Sequence, residues 1–184
     1  MSKVEYFLVF ESILYAAVIT QLISGLARLY RDMGQYKMSW THTLLSISLF
    51  LYIVQKYFAG QDFDQYDSVS MSGVFLIYLV LPPALWAFLI YLIFPKDNFE
   101  VDLDELLVRY RFEIFLIVLY PVVLTVNHNL RGTGYDLSNL LSWLPHATIM
   151  LLLLLFALTK RVGFALVYSI LSITALIYFM FWVT

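Results

Sequence analysis

Six apolar segments, each close to 20 residues long and separated by short polar connections, constrain this chain more than any other feature. A helix needs about 20 predominantly apolar residues to cross the hydrocarbon of a bilayer. The segments cover residues 6–29, 40–57, 74–94, 107–127, 140–159 and 162–183. The sequence therefore predicts an all-α integral membrane bundle of six transmembrane helices with short loops, formed as a single domain over residues 1–184.

Composition points the same way and excludes several function classes. The chain is 62% hydrophobic and 13% charged, whereas a soluble domain is about half apolar and about a quarter charged. It contains no cysteine, which excludes disulfides, thiolate metal sites and a cysteine nucleophile. A net charge of −2 offers no basic surface for nucleic acid. We expect the lipid bilayer as its surroundings, and no nucleic-acid partner.

The distribution of lysine and arginine predicts the orientation. Eight of these residues lie in the first, third and fifth connections, and three (Lys3, Lys56 and Arg131) lie on the other side. Because basic residues accumulate on the cytoplasmic side, both termini are expected outside the cytoplasm. The N-terminus also lacks a basic start and a small-residue cleavage site, so the first segment is expected to be retained as a helix.

The first segment carries a polar stripe within its apolar sequence. At about 100° per residue, one side of the helix presents Glu11, Tyr15, Gln21, Gly25 and Arg28. A carboxylate two turns inside an apolar span needs a partner, a proton or a water-filled cavity. We therefore expect the stripe to face the bundle interior. The candidate intramembrane site consists of Glu11, Tyr15 and Gln21, with Asn127 and His146 at matching depth on other segments.

Two further patterns carry structural expectations. Arg109 and Glu113, one turn apart where the fourth segment begins, form a candidate structural ion pair. Pro82 and Pro83 remove backbone donors in the middle of the third segment and predict a kink or a break there. A kinked packing helix is the commoner outcome, and a broken helix that exposes backbone groups to a substrate is the alternative.

Metal binding and catalysis have weak support in the sequence. The acidic connection at 96–105 lacks the glycine and the ligand spacing of a calcium loop. We expect Asp102 or Asp104 to cap the following helix instead, and no metal or cofactor. Ser142 and His146 lie one turn apart, but no third group orients them and no hydrolase motif is present. The sequence therefore predicts a protein that is not an enzyme.

Three runs resemble small multi-span bacterial inner-membrane proteins that have no assigned activity: QLISGLARL at 21–29, VDLDE at 101–105 and YRF at 110–112. The resemblance implies a multi-pass protein of the cell inner membrane and gives no activity. Two functions remain open. One is a transporter or channel-like protein that uses the polar residues around Glu11. The other is a non-catalytic membrane component that acts by forming a homo-oligomer or by binding another membrane protein.

Overall fold

A computed structural model describes residues 3–32, 36–59, 80–95, 101–131 and 140–182. This part of the chain contains seven helices and one pair of two-residue strands, so the predicted all-α class is confirmed there. In chain order the elements are α1 (Lys3–Arg31), β1 (Tyr36–Lys37), α2 (Trp40–Ala59), α3 (Leu81–Ile93), β2 (Val101–Asp102), α4 (Leu103–Arg109), α5 (Arg111–Arg131), α6 (Leu140–Thr159) and α7 (Val162–Trp182). Each of the six predicted segments overlaps one of the longer helices.

The six longer helices form a closed circuit of neighbours. Helix α1 packs on α2, α2 on α7, α7 on α6, α6 on α5, α5 on α3, and α3 returns to α1. The most extensive contact joins α2 and α7. The short α4 packs against α2, α3 and α7. Helices α1 and α6 therefore lie on opposite sides of the circuit.

The interior of the bundle is mainly aliphatic. On α1 the buried side chains recur every three or four residues, as expected for a helix that turns one face to the core. Most of the largest fully buried side chains lie on the other helices, and the whole set is Leu22, Leu45, Leu49, Ile53, Leu89, Ile90, Ile93, Leu103, Leu107, Ile114, Leu153 and Phe156. Large apolar side chains are also exposed on the outer sides of α3, α5, α6 and α7.

The prolines of the third segment lie at a helix start. Pro82 and Pro83 occupy the first turn of α3, where the missing N–H groups would have no intrahelical partner in any case. The kink or break predicted for the middle of this segment stays a prediction, because residues 74–79 lie outside the described ranges. At the other end, Phe94 is extended because it precedes Pro95, and the helix stops at Ile93.

The fourth segment differs from the single helix predicted for 107–127. Helix α4 ends at Arg109, Tyr110 leaves helical geometry with ψ 22°, and α5 begins at Arg111. The Arg111 side chain donates to the Val108 carbonyl and, across the bundle, to the Ala157 carbonyl, each at 2.9 Å. This contact with α6 lies at the interruption, and local composition does not reveal it.

Among the described residues, Val9–Arg31 is the helix with the length and apolar composition needed to cross a membrane. Only 28% of its most apolar stretch is buried inside the bundle. Four shorter apolar helices accompany it: Trp40–Gln55, Leu81–Ile93, Ala147–Thr159 and Val162–Tyr178.

Candidate functional site

The inward face of α1 carries the acid that the sequence singled out. Tyr15 is 5% exposed and Glu11, one turn earlier, is partly buried. At about 100° per residue, Glu11 lies on the same side of α1 as the buried Tyr15, Val18 and Leu22. The structure thus places a carboxyl group at the edge of an apolar core.

Of the other residues in the predicted stripe, Gln21 lies at the buried face of α1 and Arg28 lies outside it. Gln21 lies at the border of the buried face and donates its amide N–H to the Ala87 carbonyl at 3.2 Å, which joins α1 to α3. Arg28 is exposed. It departs from the predicted stripe because 17 residues carry it about 100° around the helix from Glu11.

A group of tyrosine hydroxyls lies within the bundle beside the inward face of α1. The Tyr52 hydroxyl on α2 lies within electrostatic range of the hydroxyls of Tyr15 on α1 and Tyr168 on α7. Tyr168 also shares a hydrogen bond with Ser172 one turn further along α7. The Tyr52 ring packs on Trp86 of α3, with 5.1 Å between ring centres. We call Tyr15, Tyr52 and Tyr168 the tyrosine cluster.

The sequence analysis named only Tyr15 from this cluster. The chain has 14 tyrosines, and Tyr52 and Tyr168 lie in apolar helices without a distinguishing motif. Only the packing of α1, α2 and α7 reveals that their hydroxyls come together.

Glu11 has no ion pair or hydrogen bond to another residue in the described part of the chain, and burial is the influence that acts on its carboxyl group. Asn127 lies in α5 and His146 in α6, but their side chains are outside the described set. The meeting of Glu11 with Asn127 and His146 stays a prediction. Chemically, a carboxyl group can exchange a proton or bind a small cation, and phenol hydroxyls on the same side of α1 can both donate and accept hydrogen bonds.

The predicted ion pair between Arg109 and Glu113 is not formed. Both side chains are exposed, and no ion pair joins these two described residues. Their one-turn spacing assumed a continuous helix, whereas the chain leaves helical geometry at Tyr110. The Arg109 guanidinium instead lies 5.8 Å from the centre of the Tyr110 ring.

A polar group that the sequence did not predict ties the connections at one end of the bundle. Strands β1 and β2 pair in parallel, with Tyr36 opposite Val101. Beside them, Lys37 Nζ lies 2.7 Å from Asp102 Oδ2. Ser39 donates its hydroxyl hydrogen to Asp104.

His42 extends this polar group into the bundle. Its backbone N–H donates to Ser39 Oγ at 3.0 Å, and its ring Nε2–H donates to the Ile93 carbonyl at 2.8 Å. The ring is 1% exposed and stands edge-on to Phe94, with 5.3 Å between ring centres. On its other side, Phe94 packs on α1 at Gly25. These contacts hold the ends of α1, α2 and α3 together.

Asp102 caps α4, as the sequence predicted. Its Oδ1 accepts a hydrogen bond from the Asp104 backbone N–H at 2.9 Å. Asp102→Ala should lower the free energy of unfolding by about 1 kcal/mol. Asp102→Asn is the matched control, because asparagine caps helices about as well as aspartate. Thermal unfolding in detergent measures both variants, and equal losses would contradict the capping role.

The ion pair between Lys37 and Asp102 predicts a pH dependence of the free energy of unfolding. The hydrogen bond from Lys37 lowers the pKa of Asp102, and the same bond raises the pKa of Lys37. The contribution of Asp102 is therefore complete above its unfolded pKa of about 3.9 and is lost as the pH falls through its lower folded pKa. The contribution of Lys37 is lost only when the pH rises through its folded pKa, above about 10.4. Melting curves of wild type and Asp102→Asn should differ at pH 7, begin to approach each other below about pH 3.9 and coincide once the pH is below the lower folded pKa of Asp102.

In the described part of the chain, no three His, Asp or Glu side chains come together in a way that could hold a metal ion. The side chains of Ser142 and His146 lie outside the described residues. Comparisons of the chain with protein-family models, curated proteins and solved structures found no match.

Proposed function

We propose that this chain is a six-span integral membrane protein that carries protons or small cations across its bilayer, with Glu11 and the tyrosine cluster as the site. The observation that carries the proposal is the position of Glu11. It is a partly buried acid without a cationic partner in the described structure, one turn from Tyr15, which lies within electrostatic range of Tyr52 in the tyrosine cluster. Ionisable groups inside a membrane bundle mark ion and proton pathways by default.

The outer surface of the bundle supports insertion in a membrane. Large apolar side chains are exposed around the circuit, including Phe88 on α3, Leu116 on α5, Leu158 on α6 and Ile170 on α7. A water-soluble monomer rarely exposes apolar side chains on so many sides. Helix α1, with 28% of its apolar stretch buried, also differs from the core helix of a soluble domain, which would be mostly enclosed. Lipid would cover these surfaces.

The proposed orientation has both termini outside and the end that carries Lys37, Lys160 and Arg161 in the cytoplasm, in an inner membrane if the source is bacterial. Single cysteines at Asp64 and at Asn98 test it, since the chain has no other cysteine. On intact cells, an impermeant thiol reagent should label the Asp64→Cys protein and leave the Asn98→Cys protein unlabelled. Permeabilised cells, in which both should react, are the control. The reverse pattern would invert the orientation.

Transport itself is tested with purified protein in liposomes. A pH-sensitive dye inside the vesicles reports proton flux, and a potassium-sensitive dye reports a cation. Vesicles without protein give the background. Flux above that background supports the proposal, and its absence under both gradients would favour the second candidate function below.

The second candidate is a non-catalytic membrane component that oligomerises or binds another membrane protein. The outward side of α1 favours it, because Val9, Ile13 and Ile23 are more than half exposed, with Ile13 at 61%. A second helix could cover this surface within the bilayer. A protein that migrates as an oligomer in mild detergent and shows no flux would support this function.

A further inference from the structure

We infer that the corner of the bundle where α5 meets the α6–α7 turn binds the headgroup of an anionic phospholipid. The connection between α6 and α7 has two residues, Lys160 and Arg161, and both are exposed. Lys160 adopts φ 60°, so the chain reverses within these two residues. The two cations therefore lie together at the tip of a tight hairpin.

Arg111 brings the start of α5 to the same corner. Its Nε–H donates to the Ala157 carbonyl at 2.9 Å, three residues before Lys160. The exposed Arg109 lies just before it in the chain. Two acids, Glu105 and Glu113, lie one turn on either side of Arg109. Among the described residues, four cations against two acids leave the corner net positive, and no described acid is paired with Lys160 or Arg161.

Exposed apolar strips lead away from these cations. On α6, Leu151, Leu154 and Leu158 are exposed and recur every three or four residues toward Lys160, and Leu158 is 63% exposed. On the neighbouring α5, Phe112 and Leu116 are exposed one turn apart. The surface thus combines an apolar strip with a cationic end.

This combination fits a phospholipid better than a free phosphate. Arginine and lysine bind phosphate oxygens through charge-assisted hydrogen bonds, but a free phosphate has no use for the apolar strips. Acyl chains would lie along α5 and α6 while the phosphodiester reaches the cations. The net positive charge favours an anionic headgroup over a zwitterionic one. The inference rests on the proposed insertion of α5 and α6 in the bilayer.

Native mass spectrometry of delipidated protein in detergent tests the site. Phosphatidylglycerol is titrated in parallel with phosphatidylcholine of identical acyl chains. The test variant is Lys160→Gly/Arg161→Gln, because glycine adopts φ 60° easily and preserves the turn. The control is Arg28→Gln/Arg31→Gln, which removes two exposed cations from α1, on the opposite side of the circuit.

Wild type and control should retain phosphatidylglycerol in preference to phosphatidylcholine. The test variant should bind phosphatidylglycerol about thirtyfold more weakly, since it lacks two basic residues and each one near an anionic surface contributes about 1 kcal/mol. Equal losses in both variants, or no preference in wild type, would overturn the inference. Displacement of the lipid by millimolar inorganic phosphate would show a phosphate site and would overturn it as well.

Two controls separate this inference from the proposed function. Thermal melts establish whether the variants are folded. If the double variant is not folded, lipid binding is measured with the single variant Lys160→Gly. Extraction of membranes at alkaline pH tests insertion directly. Release of wild type from the membrane would contradict the membrane proposal itself, whereas an inserted protein without lipid preference would overturn only the lipid site.

Discussion

Gly25→Ala is expected to lower the free energy of unfolding by about 1–3 kcal/mol, the usual cost of overpacking a tight contact. A Cβ atom at Gly25 would lie 2.7 Å from Cγ of the Phe94 ring. Cγ is the root of the ring, so a small rotation does not move it away. Phe94 is also held by its edge-on contact with His42 and by Pro95 after it. Thermal unfolding in detergent, or unfolding in mixed micelles, measures the loss.

Gly163→Ala is the matched control for this substitution. Gly163 is the second residue of α7, and a Cβ there would meet nothing within 4 Å. Alanine forms helices better than glycine by up to about 1 kcal/mol, so this variant should be as stable as wild type or more so. The two substitutions should change stability in opposite directions, because only the Cβ at Gly25 meets the Phe94 ring. Equal effects at both glycines would contradict the close approach of α1 and α3.

A double variant tests the contact itself. In the Phe94→Ala background the ring is absent, so Gly25→Ala should lose most of its effect. Residues in contact are non-additive in this way, whereas independent sites add. An unchanged effect of Gly25→Ala would place its cause elsewhere on α1.

The positions of the helices could be predicted because the length of an apolar segment is a local property. Each predicted segment overlaps a helix, and the cap at Asp102 follows from its place just before α4. The placement of Glu11 and Tyr15 on the same side of α1 follows from helical periodicity alone. Whether these helices cross a bilayer stays a proposal.

The remaining features depend on residues that are distant in the chain. Lys37 and Asp102 are 65 residues apart, and the hydroxyls of the tyrosine cluster come from α1, α2 and α7. Periodicity within one helix cannot identify such partners. The Arg109–Glu113 pair shows the converse problem. Its one-turn spacing is favourable only on a continuous helix, and the chain leaves helical geometry at Tyr110.

Glu11→Gln is expected to reduce proton or cation flux in liposomes to the background of empty vesicles. Glutamine has nearly the same shape and keeps a carbonyl oxygen, but it cannot ionise or release a proton. Its stability should stay close to that of wild type, because no described ion pair depends on Glu11. Loss of flux in a folded variant would therefore identify the ionisable group as the site.

Glu113→Gln is the control for this variant. Glu113 is exposed at the start of α5 and joins no described ion pair. The Glu113→Gln variant loses the same charge as Glu11→Gln without altering the interior of the bundle, so its flux should equal that of wild type. A structural role for Glu11 predicts a different outcome, in which both glutamine variants carry flux equally.

The most direct measurement compares wild type, Glu11→Gln and Glu113→Gln in liposomes of one preparation, at matched protein content and under the same gradient. Decay of the pH or potassium gradient is followed with an internal dye. The account predicts rapid decay for wild type and Glu113→Gln, and decay at the rate of empty vesicles for a folded Glu11→Gln protein. Undiminished flux through Glu11→Gln, or no flux through wild type, would contradict the assignment of Glu11 as the transport site.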